Sequence, residues 1–102
     1  MFKFSDQKWE ITDAEMCKNK RRNAIKFAKE AIQNQSHTKY NDIAVFITSK
    51  FEKLYGGTWS CIVGIDQDFQ ACVYHKNNSY IDFRCGELGI VLFKSKVLFN
   101  IK

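Results

Sequence analysis

The chain changes from a helical to a strand pattern within the stretch Tyr55-Gly56-Gly57-Thr58-Trp59-Ser60-Cys61-Ile62-Val63-Gly64. Before this stretch, apolar residues recur every three or four positions, as they do on one face of an α-helix. After it begins, the spacing shortens to two, and β-branched and aromatic residues become frequent, which is typical of strands. Glycine has no Cβ and ends helices in left-handed conformations at low cost. We therefore expect a helix to stop at Gly56-Gly57 and a strand to follow at once.

Two helices are predicted upstream of the glycine pair. The first should begin at Thr12-Asp13-Ala14-Glu15, because a hydroxyl and a carboxylate three residues apart form a capping box. Its apolar face is formed by Ala24, Ile25, Ala28, Ala31 and Ile32. A polar stretch at 34–39 interrupts the pattern. The second helix should run from about Asn41 to Tyr55, with an apolar face formed by Ile43, Ala44, Ile47, Phe51 and Leu54.

Four strands are predicted downstream, at Thr58–Val63, Ala71–His75, Ser79–Cys85 and Gly89–Lys94. The turn residues between them are Asp66-Gln67-Asp68, Lys76-Asn77-Asn78 and Gly86-Glu87. A short further strand is expected at Trp9–Thr12. The predicted order is β-α-α-β-β-β-β, an α+β fold with two helices packed on one face of an antiparallel sheet.

Composition favours one globular domain over residues 1–102, because 45% of the residues are hydrophobic and 15% are aromatic. No run of about 18 apolar residues is present, and the first residues lack the apolar core of a signal peptide. These features predict a cytoplasmic protein that is not inserted in a membrane. The four cysteines, Cys17, Cys61, Cys72 and Cys85, are irregularly spaced, so they are interpreted as free thiols.

No catalytic or metal-binding constellation is visible in the sequence. His37 and His75 each lack a motif for nucleophile activation or metal ligation, so we expect neither an enzyme nor a cofactor. The net charge of +5 raises the question of nucleic acid. However, Lys18, Lys20, Arg21 and Arg22 lie in a predicted helix, where a solvated face is the simpler interpretation. The order of elements also differs from that of an RNA-recognition domain.

Several blocks of the sequence resemble one family. They are Asp42-Ile43-Ala44, Phe51-Glu52-Lys53, Thr58-Trp59-Ser60-Cys61-Ile62-Val63-Gly64, Ile81-Asp82-Phe83, Gly86 and Leu92-Phe93-Lys94-Ser95. In content and spacing these blocks are similar to the LC8 type of cytoplasmic dynein light chain. The resemblance covers about residues 9–95. Residues 96–102 are then a C-terminal extension, which we expect to form an ordered strand or latch because it is rich in apolar residues.

The resemblance implies a homodimer in which a swapped strand pairs with the sheet of the other subunit. Its dimer interface would contain Trp59, Ser60, Ala71, Cys72, Val73 and Tyr74. A partner peptide would bind as an added strand, contacting Tyr40, Asn41, Phe69, Gln70, Ala71, Cys72, Val73, Tyr74, His75 and Lys76. The implied partners are the dynein intermediate chain and other disordered protein segments, and the implied location is the microtubule cytoskeleton of the cytoplasm.

Three positions depart from the family pattern. Relatives place an acidic residue and a lysine at the start of the second helix and a threonine in the swapped strand, where this chain has Tyr40, Asn41 and Tyr74. The resemblance therefore leaves the preferred peptide sequence open. Two other functions also remain open at this point: a structural dimer that has lost or altered peptide binding, and a basic module for nucleic acid or a membrane surface.

Overall fold

The computed structural model describes residues 8–33, 39–65 and 75–95. Within them the elements are β1 (Trp9–Glu15), α1 (Lys18–Gln33), α2 (Tyr40–Tyr55), β2 (Trp59–Ile65), β3 (His75–Cys85) and β4 (Leu88–Ser95). The strands form one antiparallel sheet in the order β1-β3-β4-β2. The fold is therefore β-α-α-β-β-β over the described residues, which confirms the predicted packing of two helices on an antiparallel sheet. Most of the predicted strand Ala71–His75, namely residues 71–74, and the whole extension 96–102 lie outside the described residues.

The hydrophobic core lies between the two helices and one face of the sheet, which we call the inner face. This face carries Ile81 and Phe83 from β3 and Leu88, Ile90 and Leu92 from β4, all fully buried. Small residues of α1, such as Ala24 and Ala28, allow that helix to pack closely. The alternation of side chains along a strand places Asp82, Arg84, Val91 and Phe93 on the opposite face, which we call the outer face.

An aromatic cluster joins α1, α2 and β2. The ring centroid of Phe51 lies 5.8 Å from that of Phe27 and 4.9 Å from that of Trp59. The Asn23 amide donates a hydrogen bond of 2.6 Å to the Tyr55 hydroxyl. The Trp59 indole donates one of 3.0 Å to the carbonyl of Gly56. These contacts fix the end of α2 against the start of β2, so that the helix and the edge strand are held as one unit.

The predicted start of the first helix is wrong. Thr12 to Glu15 belong to β1, and α1 begins only at Lys18. Pairing with β3 decides the outcome, since Ala14 lies opposite Ile81 and packs against the core. The register shifts between Ile11 and Asp13, so β1 contains a bulge at residue 12. A local capping pattern is therefore overridden by a strand pair formed across the chain.

The predicted turn at Lys76-Asn77-Asn78 is also wrong. These residues lie inside β3, where residues 76–79 stand opposite Lys94 alone before regular pairing resumes at Tyr80 and Phe93. Asn78 has a positive φ of 59°, and the Ser79 hydroxyl donates a hydrogen bond to the carbonyl of Asn77. The residues predicted to form a turn instead form a large, irregular bulge within a continuous strand. The predicted turn at Gly86-Glu87 is confirmed as the loop between β3 and β4.

The end of α2 depends on the backbone conformation of Gly56, whose φ and ψ are 75° and 175°. This region is accessible essentially only to glycine. No atom lies within 4 Å of a Cβ built at this position, so only the backbone opposes a side chain there. We expect Gly56→Ala to lower the free energy of unfolding by about 1–3 kcal/mol, measured by urea denaturation.

Gly64→Ala is the matched control for this substitution. A Cβ at Gly64 also meets no atom within 4 Å, and the residue has no positive φ. Its unfolding midpoint should therefore match or slightly exceed that of the wild type, because alanine suits a strand better than glycine. Equal midpoints for the two variants would contradict the assigned role of Gly56.

Candidate peptide-binding surface

β2 lies at one edge of the sheet. It pairs with β4 on one side, and no other strand of the described ranges pairs with it on the other side. Ile62 and Ile65 are 37% and 47% exposed along it. Backbone amides and carbonyls at an edge can pair with a further strand. β2 therefore offers a place at which an extended segment can join the sheet.

The first turn of α2 is expected to lie toward the far end of this edge. α2 packs against β2, and residues 56–58 connect the two directly, so the helix and strand run in opposite directions. Sixteen helical residues and seven strand residues each span about 24 Å. From these lengths we expect the start of α2 to lie toward the Ile65 end of β2. Tyr40 and Asn41 are exposed there, as expected for residues that could contact a bound segment.

The other predicted peptide-binding residues fall into two groups. His75 and Lys76 begin β3, with His75 opposite Ser95 in the register and Lys76 exposed. The other members of the predicted set, Phe69, Gln70, Ala71, Cys72, Val73 and Tyr74, lie outside the described residues. The structure thus shows Tyr40 and Asn41 exposed in the first turn of α2, and the binding surface that would join them to the swapped strand stays a prediction.

Two predicted interface residues are described, and they face opposite ways. Trp59 is only 4% exposed and points into the core of its own subunit. Any part it plays between subunits would involve the backbone of β2. Ser60 is half-buried, and its side chain is on the outer face, opposite Phe93 of β4. Of these two residues, Ser60 is the one whose side chain could meet another chain.

The outer face carries an apolar band that no described helix covers. Tyr80, Phe93 and Ile62 are partly buried or exposed on it, and Val91 at its centre is fully buried. A sheet face that met only water would carry polar side chains at these positions. The band is therefore suited to contact with a further layer of protein.

Beside this band, β1 and β3 carry an acidic patch, defined as Glu10, Asp13, Glu15 and Asp82. Asp82 lies directly opposite Asp13 in the strand register and is only 9% exposed. Its Oδ1 accepts no hydrogen bond, and Nε of Arg84 lies 3.9 Å from this oxygen. Desolvation raises the pKa of Asp82, the Arg84 guanidinium opposes the rise, and the Asp13 carboxylate adds to it.

Sequence reasoning did not identify this patch. The alternation around Ile81 and Phe83 would have placed Asp82 on the face away from the helices. Alternation does not predict that Asp13 lies opposite Asp82, because the bulge in β1 shifts the register by one residue before Asp13. Neither the burial of Asp82 nor its approach to another carboxylate leaves a signal in a single sequence.

The described residues show neither a metal-binding cluster nor a membrane-spanning helix. In 8–33, 39–65 and 75–95 no three side chains of His, Cys, Asp or Glu come together in a way that could hold a metal ion. Neither α1 nor α2 is long and apolar enough to cross a bilayer. Cys17, Cys61 and Cys85 are free thiols, as predicted.

Solved structures with this fold come from dynein light chain-like domains. One is the dynein light chain-like domain of the Fasciola hepatica calcium binding protein FhCaBP2, with a TM-score of 0.76 and 14% identity over 94% of this chain and 99% of that chain. Another is the DLC-like domain of CsTAL3, with a TM-score of 0.62 and 17% identity over 84% and 90%. The family profile described as "Dynein light chain type 1" matches residues 8–95. The chain therefore belongs to the dynein light chain type 1 family.

Proposed function

We propose that this protein is a non-catalytic, dimeric light chain that binds short extended peptides of partner proteins by strand addition. It would serve as a subunit of the dynein motor complex and as a dimerisation hub. The observation that carries the proposal is the edge position of β2, with exposed Ile62 and Ile65 along it. Membership of the dynein light chain family supports it.

Strand addition suits this edge for a physical reason. Backbone hydrogen bonds supply affinity without regard to sequence, while pockets for alternate side chains select among peptides. Trp59 and the aromatic cluster hold β2 against α2, so the edge is presented by a rigid unit and little ordering is needed on binding. In the dimer, the swapped strand formed around residues 71–75 would extend this edge and present it to the ligand.

The partners we propose are the dynein intermediate chain and other disordered segments, and the proposed location is the cytoplasmic microtubule system. Disordered partners gain from such a site, because two grooves on one dimer hold two copies of a segment side by side and raise their effective concentration. A dimer of this kind would promote the pairing of its partners without catalysing a reaction.

We expect the preferred peptide to differ from the glutamine-centred Thr-Gln-Thr motif typical of the family. The groups that cap the ligand glutamine in relatives correspond to Tyr40 and Asn41 here, and Tyr74 would fill space that the threonine of relatives leaves open. A buried ligand amide left without a partner costs about 1–3 kcal/mol, which is roughly one to two decades of affinity. Backbone pairing would persist while the selection changes.

Calorimetric titration tests this expectation with a Thr-Gln-Thr peptide and its Gln→Ala variant. The two peptides should bind with similar and modest affinity, because the glutamine no longer gains its polar cap. Tight binding of the parent and a large loss for the variant would show that the family specificity survives. No heat with either peptide or with a library of partner sequences would favour the second function, a structural dimer without peptide binding.

A basic surface on α1 is the reason to include salt in the same titration. Lys18, Arg22, Lys26 and Lys29 are all exposed at spacings that align them along one side of the helix. Binding to nucleic acid or an anionic membrane through this surface would weaken steeply with salt, since phosphate contacts act through counterion release. Strand addition should change little between 50 and 200 mM salt, conditions over which four phosphate contacts would lose roughly a hundredfold in affinity.

A further inference from the structure

The net charge of the chain is concentrated on α1. This helix contains six basic residues and one acidic residue, so its net charge of +5 equals that of the whole chain, and the charges outside it balance. Its first turn contains no acidic residue, although the helix macrodipole favours one there. The positive potential of the protein is therefore a property of one surface and not of the chain as a whole.

The basic surface on α1 is unfavourable for the helix that carries it. Lys18 and Arg22 are four residues apart, as are Arg22 and Lys26, and like charges at this spacing destabilise a helix. Lys18, Arg22, Lys26 and Lys29 form no ion pair with another residue of the described ranges. Their exposed charges are therefore available to a partner.

A shallow groove runs along the same side of α1. Its volume is about 390 Å³, and its described lining comes from α1 alone: Arg22, Ile25, Lys26, Lys29, Glu30 and Gln33. These positions recur every three or four residues, so they lie in adjacent rows along the helix over about 16 Å. Ile25 is half-buried and packs against the core, whereas the three basic side chains are exposed. The groove thus combines apolar surface with cationic groups.

We propose that this groove docks an acidic segment of a partner protein. Its carboxylates would bind Arg22, Lys26 and Lys29, and an apolar side chain between them would pack on Ile25. Charge-assisted hydrogen bonds to carboxylates are stronger than neutral ones, and arginine can make two at once. The inference goes beyond the proposed function, because neither β2 nor the start of α2 contributes to the described lining.

The lining favours a protein segment over nucleic acid. Glu30 lies among the cations and would repel a phosphate backbone, whereas a protein segment can place a neutral or basic side chain beside it. Proteins that bind single strands without sequence preference also use aromatic side chains on which the bases stack. α1 has no such side chain exposed, since Phe27, its one aromatic residue, is buried.

A membrane surface is disfavoured for a related reason. Helices that lie on membranes insert large apolar side chains below the level of the headgroups. Among the described residues, the large apolar side chains that are exposed lie on β1, α2 and β2, and none of them lies on α1. An acidic protein segment is therefore the occupant whose chemistry matches this groove.

The test selects a phage library of random peptides against the wild-type protein and two double variants. Lys26→Glu with Lys29→Glu reverses two charges of the groove. Lys50→Glu with Lys53→Glu is the matched control, because it reverses two exposed lysines at the same spacing on α2. The wild type and the control should enrich acidic peptides that contain an apolar residue, and the groove variant should enrich them at least tenfold less. Peptides that add to the β2 edge should be enriched equally by all three proteins.

A synthetic peptide from the acidic class provides a second measurement, by fluorescence anisotropy, with the neutral triple variant Arg22→Gln, Lys26→Gln and Lys29→Gln. Replacing the carboxylates of the peptide by amides should weaken binding to the wild type about 3- to 30-fold and leave binding to the triple variant unchanged. Equal losses for both proteins would overturn the inference.

Three results of the selection and its companion assays would also overturn it. The first is a wild-type selection without an acidic class, or an acidic class that the groove variant retains. The second is binding of a mixed-sequence DNA duplex or of phosphatidylserine vesicles that the groove variant loses, with no acidic peptides enriched. The third is self-association that the triple variant loses, again without an acidic class, which would assign the groove to a second copy of this chain.

Discussion

Trp59→Ala should destabilise the protein by about 3–5 kcal/mol, because it removes a large buried side chain and leaves a cavity. Trp59 is 4% exposed, stacks edge-to-face on Phe51, and lies 6.5 Å from Tyr55 between ring centroids. Small domains are stable by about 5–15 kcal/mol, so this one substitution would remove a large share of the total. Urea denaturation followed by far-UV circular dichroism measures the loss, since the fluorescence of Trp9 and Trp59 would change with the substitution itself.

Two controls separate packing from other effects of this substitution. Trp59→Phe keeps an aromatic ring and removes the indole donor to the Gly56 carbonyl, so its loss should be clearly smaller. Leu54→Ala changes a residue of α2 that is 54% exposed, and its effect should stay within about 0.5 kcal/mol. If Trp59→Ala also stayed within that range, the aromatic cluster would not be the contact that fixes β2.

Cys61 should react with thiol reagents about 30- to 60-fold more slowly than an ordinary cysteine, because burial raises the pKa of its thiol from 9.0 to about 12 and the loss of thiolate outweighs the greater nucleophilicity of the more basic thiolate. The thiolate is the reactive form, and three pKa units lower its population a thousandfold at any pH below both values. Cys61 lies on the inner side of β2 and packs against the core. Cys17 is exposed and provides the comparison within the same molecule.

Labelling at pH 8, with each cysteine assigned by mass spectrometry of its peptide, measures the two rates together. Cys17 should be modified promptly in the folded protein, and Cys61 should reach a similar rate only in denaturing urea. A folded-state rate for Cys61 close to that of Cys17 would show that β2 does not seal its inner side against solvent.

Much of the fold could be predicted where sequence signals are local. The apolar spacing of α2, the glycines that end it and the strand pattern of β2 all agree with the structure, because each is decided within about ten residues. The loop at Gly86-Glu87 is of the same kind. Its glycine has a φ of 63° and links two strands that pair directly with one another.

β1 was predicted too short because its bulge hides its alternation. Ile11 and Ala14 belong to the same side of the sheet although they are three residues apart, a spacing that also fits a helix. The pairing of β1 with β3 resolves this ambiguity, and that pairing joins residues about 70 positions apart. At Lys76–Asn78 the sequence predicts a turn, and the structure has a bulge instead, because a residue with positive φ such as Asn78 can form either.

The candidate site likewise has a part that the sequence predicts and a part that depends on distant strand pairing. Tyr40 and Asn41 are predicted from the family resemblance, and the structure has both at the start of α2, a helix that the sequence predicts locally. The acidic patch depends on the register of two distant strands, and the burial of Asp82 depends on everything packed around it. Aspartate is usually exposed to solvent, so its presence in a sequence does not indicate that the side chain is buried.

The strand order β1-β3-β4-β2 has a consequence for synthesis on the ribosome. Every pair in the sheet includes β3 or β4, the last two strands to be translated. A nascent chain that has emerged only as far as Ile65 can form its helices but has no strand for β1 or β2 to pair with. β1 can pair only once β3 has left the exit tunnel, and β2 only once β4 has, and the pairing of β1 closes a loop of more than fifty residues, a contact of the kind that slows folding. Until then the apolar side chains of both edge strands lack their neighbours in the sheet, and exposed apolar surface of this kind favours aggregation of incomplete chains.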